Sequence, residues 1–261
     1  MADWGDLQRE LDAWQRAGET ATLWWRDDDA VTATAALERL FALTLPARGP
    51  LPIALAVIPA QAENGLADAV QDHGHVAVLQ HGYAHANNAS ADSKKAEFPA
   101  GREVSIAVDE LRLGVRRMQE VFGRRALPVL VPPWNRIDPA LVERLPQIGF
   151  RGLSSYGPRR ATSGEAGTIV VNAHVDIMRW RGSRGFLGTE SCLDLAVGHL
   201  QARRERQVDG GEATGLLTHH LVHDAGAWQF VADFVQRTHN HPAVRWMHAT
   251  ELFGCGASPV A

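Results

Sequence analysis

The stretch Ala21-Thr22-Leu23-Trp24-Trp25-Arg26-Asp27-Asp28-Asp29-Ala30 places three consecutive carboxylates directly after an apolar run. The run from Ala21 to Trp25 predicts a β-strand that ends where the acidic residues begin. Two more short apolar runs end in histidines: Val76 to Leu79 before His81-Gly82-Tyr83-Ala84-His85, and Gly215 to Leu217 before His219-His220. Barrel-type α/β enzymes build their active sites at the carboxyl ends of strands. These three segments therefore predict one hydrolytic metal site.

Strand candidates alternate with helical segments along the chain. The predicted strands are 21–25, 53–57, 76–79, 129–131, 152–154, 169–172, 215–218 and 244–246. The predicted helices are 4–17, 34–43, 64–72, 102–122, 139–149, 193–205 and 228–238, and the longest loop is 86–101. This alternation predicts a parallel sheet, and about seven strands favour a barrel-like closure over an open doubly wound sheet. We find no repeat or linker, so residues 1–261 are predicted to form one domain, with an amino-terminal helix within 1–20.

The composition excludes several classes of protein. A net charge of −4 gives no basic surface for nucleic acid. No apolar run is long enough for a membrane span, and the first residues lack the pattern of a secretory signal, so a cytoplasmic protein is expected. Cys192 and Cys255 lie far apart without metal-ligand spacing. The oligomeric state stays open, with a homo-oligomer as one alternative.

The histidine pair and the acidic run together indicate a metal centre. Residues four apart share one face of a helical turn, so His81 and His85 can reach one ion. Two histidines and one carboxylate are a recurrent ligand set for catalytic zinc. Either motif alone is common by chance, and a solvated loop or a helix cap would also explain the carboxylates.

These motifs occur in the order found in the polysaccharide deacetylase (NodB-homology) family, which the chain resembles. Asp28-Asp29 is similar to the family's Asp-Asp motif, and His81-Gly82-Tyr83-Ala84-His85 resembles its His-(Ser/Thr)-x-x-His. Val131-Pro132-Pro133-Trp134 resembles Arg-Pro-Pro-(Tyr/Trp), and Leu216-Leu217-Thr218-His219 resembles Leu-x-x-His. The resemblance implies a distorted (β/α) barrel of about seven parallel strands.

The resemblance also implies a role for each matching residue. Asp29, His81 and His85 would hold one divalent metal ion. Asp28 would be the general base that takes a proton from the attacking water, and His219 the general acid that protonates the departing amine. Trp134 would form a wall of the substrate cleft. Zinc is the first expectation for the metal, with cobalt, nickel or iron as alternatives.

The chain departs from the family's pattern at several positions. Gly82 stands where a hydroxyl residue is usual, and Val131 where an arginine is usual. Arg26 or Arg136 could replace the missing cation, although Arg136 could equally be a surface residue. Asp27-Asp28 is an alternative to Asp28-Asp29 as the functional pair, because a shift of one residue turns different carboxylates toward the site.

The acid also has alternatives. Neighbours in a strand point to opposite faces, so only one of His219 and His220 can face the site. Asp176 follows a predicted strand and could orient His219 as a supporting carboxylate. Its match to the family's Asp-Trp motif is poor, because Trp180 lies four residues further on.

The sequence therefore predicts a metal-dependent hydrolase that removes an acetyl group, through an amide or ester bond, from a carbohydrate or related small substrate. The expected partner is an acetylated sugar or another small amide, with no nucleic acid and no membrane. A metal-independent amide hydrolase of the same fold is one alternative. A catalytically silent carbohydrate-binding protein is the other, and the eight Trp residues and the missing arginine are in its favour.

Overall fold

The computed structural model describes residues 1–160, 167–182 and 184–255. Within them the α-helices are α1 (Trp4–Arg16), α2 (Ala35–Leu43), α3 (Asn64–Gln71), α4 (Val104–Phe122), α5 (Pro139–Val142), α6 (Leu145–Ile148), α7 (Thr189–Arg204), α8 (Ala225–His239) and α9 (Ala249–Leu252). The strands are β1 (Ala21–Ala30), β2 (Ile53–Val57), β3 (Val76–His81), β4 (Ala126–Val131), β5 (Gly152–Leu153), β6 (Ile169–Val170), β7 (Val175–Asp176), β8 (Met178–Arg179), β9 (Gly185–Phe186), β10 (Thr214–Thr218) and β11 (Val244–Trp246). No helix in these ranges is both long and apolar enough to cross a membrane.

The main sheet is parallel and has β1 near its centre. Its strand order is β6-β5-β4-β3-β2-β1-β10-β7, and β11 pairs with the first residues of β1. Helices between the strands cover the sheet, which is why β2 and β3 consist almost entirely of buried apolar residues.

The two ends of this sheet lie in one continuous segment, Ile169–Asp176. Its first residues pair with β5, and its last residues pair with β10. Single bonds continue the ladder on both sides, from Ala173 N–H to the Ser155 carbonyl and from His174 N–H to the Gly215 carbonyl. The sheet therefore curls back on itself, and the predicted distorted barrel is confirmed.

Alternate residues of the strands build two separate cores. On the outer side, Leu23 and Trp25 of β1 pack with residues of the surrounding helices. On the inner side, Trp24 packs with small residues such as Ala54 and Ala77, and α9 contributes Phe253 to the same cluster. Small inner residues leave room for Trp24 and for Arg26, which is fully buried. The inner side of β1 thus leads from Trp24 through Arg26 to Asp28.

Most predicted elements are present, but the short helix α9 was not predicted, and three other regions differ. The helix predicted over 139–149 is two short helices, because Pro146 lies within the first turn of α6. The strand predicted over 169–172 is shorter, but its segment continues to β7, which was not predicted. The short antiparallel hairpin β8–β9 was also not predicted, and two-residue strands leave little periodicity to detect.

A stacked pair of buried histidines lies under β10. The rings of His174 and His199 are parallel within 16°, with centroids 3.5 Å apart. His199 Nδ1 lies 2.9 Å from the Thr214 hydroxyl. Burial and the neighbouring His174 and Arg203 lower the pKa of His199 to about 2, so this ring is neutral in the folded protein.

We expect acid to destabilise the fold partly through His199. An unfolded histidine titrates near about pH 6.5, so below that pH the unfolded chain binds a proton that the folded chain does not. Stability therefore falls as the pH falls, and from about pH 7.5 to about pH 5 this residue should remove about 2 kcal/mol from the free energy of unfolding. Urea denaturation at both pH values measures this loss in the free energy of unfolding. His199→Gln should lose less stability than the parent over this interval, and an equal loss would contradict the assignment.

Candidate active site

The three aspartates of β1 point in three directions. Strand alternation turns Asp27 outward, where its carboxylate accepts hydrogen bonds from the Thr218 hydroxyl (2.6 Å) and the His220 N–H (3.0 Å). The same alternation turns Asp28 inward beside Arg26. The ladder to β2 shifts register between Asp27 and Ala30, and Asp29 has a φ of 70°. This bulge re-aims Asp29 past β2 toward the end of β3.

Asp29 meets the two predicted histidine ligands. Its Oδ1 lies 3.1 Å from His81 Nε2 and 3.3 Å from His85 Nε2. The pKa of Asp29 is lowered: burial raises it, but the hydrogen bond and charge of His81 outweigh that effect. The carboxylate is therefore ionised beside two imidazole nitrogens.

The tautomer of His81 suits a metal ligand. Its Nδ1 lies 3.0 Å from the Val131 carbonyl oxygen, which can only accept a hydrogen bond, so Nδ1 carries the proton. Burial lowers the pKa of His81, but Asp28 and Asp29 raise it overall, so Nε2 can also carry a proton and donate it to Asp29. In the neutral ring the Nε2 lone pair faces Asp29 instead. A backbone carbonyl behind a ligating imidazole is the usual support for such a ligand. One carboxylate and two histidines, with donor atoms all within 4.8 Å of one another, fit a divalent ion.

Strained backbone conformations occur at one residue of this cluster and at two residues beside it. His85 has a φ of 55°, and Trp134 and Asn135 both have a φ of 56°. Such conformations are unfavourable for residues other than glycine and are found mainly at functional sites. They bring the Trp134 ring to 4.3 Å from the His85 ring, so Trp134 walls the cluster on one side.

Arg26 is the cation that contacts Asp28. Its Nε lies 2.9 Å from Asp28 Oδ1, and its Nη2 lies 3.0 Å from Oδ2, a two-pronged pair with both side chains buried. The guanidinium also donates to the Ser154 hydroxyl (2.6 Å) and to the side-chain oxygen Oδ1 of Asn135 (2.7 Å). Arg136 instead donates to the Lys95 backbone oxygen at the surface. Of the two predicted substitutes, only Arg26 contacts Asp28.

His219 and His220 have different surroundings. His220 Nδ1 lies 2.5 Å from Asp27 Oδ1, with both side chains fully buried. His219 Nδ1 is buried without a hydrogen-bond partner, and the ring meets Trp180 edge-on at 4.6 Å. His219 also acts electrostatically on Asp29 and on Asp176. Both histidines interact electrostatically with Asp29, but His220 is paired with Asp27 and His219 is not.

Asp176 is connected to His219 through Trp180. The Trp180 indole N–H donates to Asp176 Oδ2 at 2.7 Å, and the same indole ring packs on His219. The other carboxylate oxygen accepts from the Met178 N–H. Burial raises the pKa of Asp176, an effect that the charge of His219 opposes. The turn before the β8–β9 hairpin brings Asp176 and Trp180 together despite their separation, which sequence spacing alone did not indicate.

Sequence reasoning missed Glu97, which is buried beside the His81–His85 loop. Its carboxylate accepts hydrogen bonds from the N–H groups of Tyr83 (3.1 Å) and Ala84 (2.7 Å). No motif marks this residue. The only available signal was its position in the long polar loop 86–101, a kind of segment that is often functional.

A second group of potential ligands, His174, His199 and Glu212, does not fit a metal. His174 Nδ1 accepts the Gly215 N–H, so its proton lies on Nε2, which faces Glu212 at 3.4 Å. The stacked rings also direct their in-plane lone pairs nearly parallel rather than toward one point. The two imidazoles of this cluster are neutral packing elements of the fold.

Comparison with known proteins identifies the fold. No protein-family model and no curated protein matches the sequence. A protein from Mycobacterium smegmatis assigned as a polysaccharide deacetylase matches with a TM-score of 0.68 and 16% identity, covering 90% of this chain and 88% of that chain. A family 4 acetyl xylan esterase from Clostridium thermocellum, solved with a cobalt ion, matches with a TM-score of 0.53 and 12% identity, covering 90% and 91%.

A mutant of a CE4 family pseudoenzyme also matches, with a TM-score of 0.55 and 12% identity, covering 90% of this chain and 67% of that chain. The chain therefore has the polysaccharide deacetylase fold. The resemblance drawn from the motifs is confirmed at the level of the fold.

We expect Arg26→Met to destabilise the protein strongly, because it leaves the buried Asp28 carboxylate without its cation. Removing one partner of a buried ion pair costs about 3–5 kcal/mol. Arg136→Met is the matched control and should change stability by less than about 0.5 kcal/mol, since this side chain binds only a surface carbonyl. Urea denaturation measures both variants. Similar values for the two would show that the Arg26–Asp28 pair is not a buried support.

Proposed function

We propose that this protein is a metal-dependent hydrolase that removes an acetyl group from a carbohydrate or related small substrate by hydrolysing the amide or ester bond that joins the two. Its reaction would belong to the hydrolysis of non-peptide carbon–nitrogen bonds or of the corresponding esters. The observation that carries the proposal is the grouping of Asp29, His81 and His85, with the Asp28 side chain and His219 on the same end of the barrel. The deacetylase fold adds support.

Asp29, His81 and His85 would hold one divalent ion, with zinc first and cobalt, nickel or iron as alternatives. The proton of His81 lies on Nδ1, so its Nε2 is free to bind without losing that proton. When bound, such an ion lowers the pKa of water and polarises the acetyl carbonyl.

Asp28 would act as the general base. A carboxylate accepts a proton efficiently only when it is held in reach of the attacking water. The two-pronged contact with Arg26 fixes both carboxylate oxygens and leaves their remaining lone pairs toward the site. Arg26 thus supplies from within β1 what the family's motif arginine would supply from the position of Val131.

His219 would act as the general acid. An amine is a poor leaving group unless it is protonated, so acetyl removal needs a donor on the side of the departing group. The Trp180 ring, held by Asp176, packs against His219 and restricts its orientation. His220 is a poorer candidate, because its ring is buried and paired with Asp27.

Aromatic side chains on both sides of the cluster support a sugar substrate. Trp134 lies beside His85 and Trp180 beside His219, and Trp180 is 44% exposed. Exposed indole faces suit the apolar faces of a sugar ring. An acetylated sugar is therefore the proposed partner, and another small acetylated amide is the alternative. A cytoplasmic location and a homo-oligomeric state stay predictions from the sequence.

A catalytically silent binding protein is the second candidate. The pseudoenzyme with the same fold and the valine at position 131 favour it. Arg26 beside Asp28 counts against it, because a silent protein has no need to hold a base. The metal-independent hydrolase has less support, since Asp29, His81 and His85 are all present.

We expect the purified parent protein to bind about one equivalent of a divalent metal, because the site offers three protein ligands to one ion. Asp29→Ala and His85→Ala should bind little. His199→Gln is the control, since its ring belongs to the neutral cluster, and it should retain the full equivalent. Elemental analysis after reconstitution and dialysis measures all four proteins. A parent without metal would remove the proposed mechanism.

We expect Asp28→Asn and His219→Gln to keep the metal but to lower kcat for acetate release about 10²- to 10⁴-fold, the usual contribution of a general base or acid. His239→Gln, a histidine on α8 outside the cluster, serves as the control and should keep full activity. Acetate release from acetylated sugars measures turnover, and calorimetry measures ligand affinity. A parent that binds the sugar without turnover would instead establish the binding protein.

A further inference from the structure

The loop that joins the two histidine ligands is held from several sides. The Val131 carbonyl accepts hydrogen bonds from both His81 Nδ1 and the Gly82 N–H. The Gln80 side-chain amide donates to the Gly82 carbonyl at 2.9 Å. On the remaining side, the Glu97 carboxylate accepts the N–H groups of Tyr83 and Ala84.

Glu97 is an unusual residue at this place, because its side chain is buried without a cation. Only 1% of the residue is exposed, and no arginine or lysine in the described ranges forms an ion pair with it. Arg102 contacts its backbone carbonyl instead, while the Arg102 guanidinium pairs with Glu110. Burying an uncompensated carboxylate is costly. Burial raises the pKa of Glu97, an effect that the Ala84 and Tyr83 N–H groups oppose, so its contribution here lies in the two oxygens that hold the loop.

Glu97 and Gly82 are complementary in shape. Gly82 has a φ of 57°, and a Cβ atom built there would lie 1.9 Å from Glu97 Oε2 and 2.6 Å from Pro133. A serine or threonine at this position, as in the family's motif, would collide with the Glu97 carboxylate. The Glu97 carboxylate thus occupies the space that a hydroxyl side chain at position 82 would need.

We propose that Glu97 is a positioning residue of the metal site. It replaces the side chain missing at Gly82, and it holds Tyr83 and Ala84 so that His81 and His85 face Asp29. This inference rests on the proposed metal site and adds the residue that preforms it.

The test is the metal affinity of Glu97→Gln, which keeps the shape but removes the charge and one acceptor. Loss of such a supporting hydrogen bond typically weakens metal binding about 10- to 100-fold, and we expect that range for zinc and cobalt. The visible spectrum of the cobalt-loaded variant should also shift, because the ligand geometry changes. Glu110→Gln is the matched control: it loosens Arg102 on the same loop without touching the Tyr83 and Ala84 bonds, and its affinity should equal the parent's.

A second variant leaves Glu97 intact and keeps the inference testable if Glu97→Gln does not fold. Gly82→Ser should weaken metal binding in the parent, and by a smaller factor in a Glu97→Ala background, because the carboxylate is then no longer in the way. The two effects on the dissociation constant should therefore not be additive.

The outcomes separate the two proposals. A parent that binds no metal would overturn the proposed function, and this inference with it. A parent that binds metal while Glu97→Gln binds equally well, with an unchanged cobalt spectrum, would overturn this inference alone. Additive effects of the changes at positions 82 and 97 would do the same.

Discussion

The site depends on the directions in which strand β1 orients three adjacent carboxylates. Three ionised aspartates in a buried strand would repel one another and lose their hydration, which is unfavourable unless each has its own partner. Because of strand alternation and a single bulge, Asp27 contacts His220, Asp28 contacts Arg26, and Asp29 contacts the histidine cluster. Arg26 lies within β1 itself, whereas the partners of Asp27 and Asp29 lie on other segments, so these two pairings also tie β1 to its neighbours.

The two histidine clusters of this protein show why residue type alone does not define a metal site. Both contain two histidines and one carboxylate within ligand distance of one another. In the first, a backbone carbonyl holds the proton of His81 on Nδ1 and leaves Nε2 free. In the second, a backbone N–H occupies Nδ1 of His174, so the proton lies on the nitrogen that would have to bind. The hydrogen bond that each imidazole makes with the backbone therefore decides which cluster can take an ion.

Strain is concentrated beside the site. His85, Trp134 and Asn135 adopt left-handed conformations, and Asp29 does so within a strand. Each such residue costs on the order of 1–3 kcal/mol and persists only where its surroundings hold it firmly. The Arg26–Asn135 bond and the Glu97 contacts are two of those holding interactions. The rigid elements around the site thus stabilise a geometry that the local sequence would not adopt alone.

The sequence by itself determined the alternation of strands and helices, and therefore the barrel. It also indicated the strand ends at which the chemistry-bearing side chains lie, since apolar runs and polar ends are local patterns. Tertiary structure alone decided the rest. Which aspartate meets the histidines depends on a bulge against β2, and the cation for Asp28 comes from within β1 rather than from Val131 or Arg136. Glu97 reaches the ligand segment from the loop that follows it, 13 residues after Ala84, because the conformation of that loop, not motif spacing, determines which buried polar groups meet.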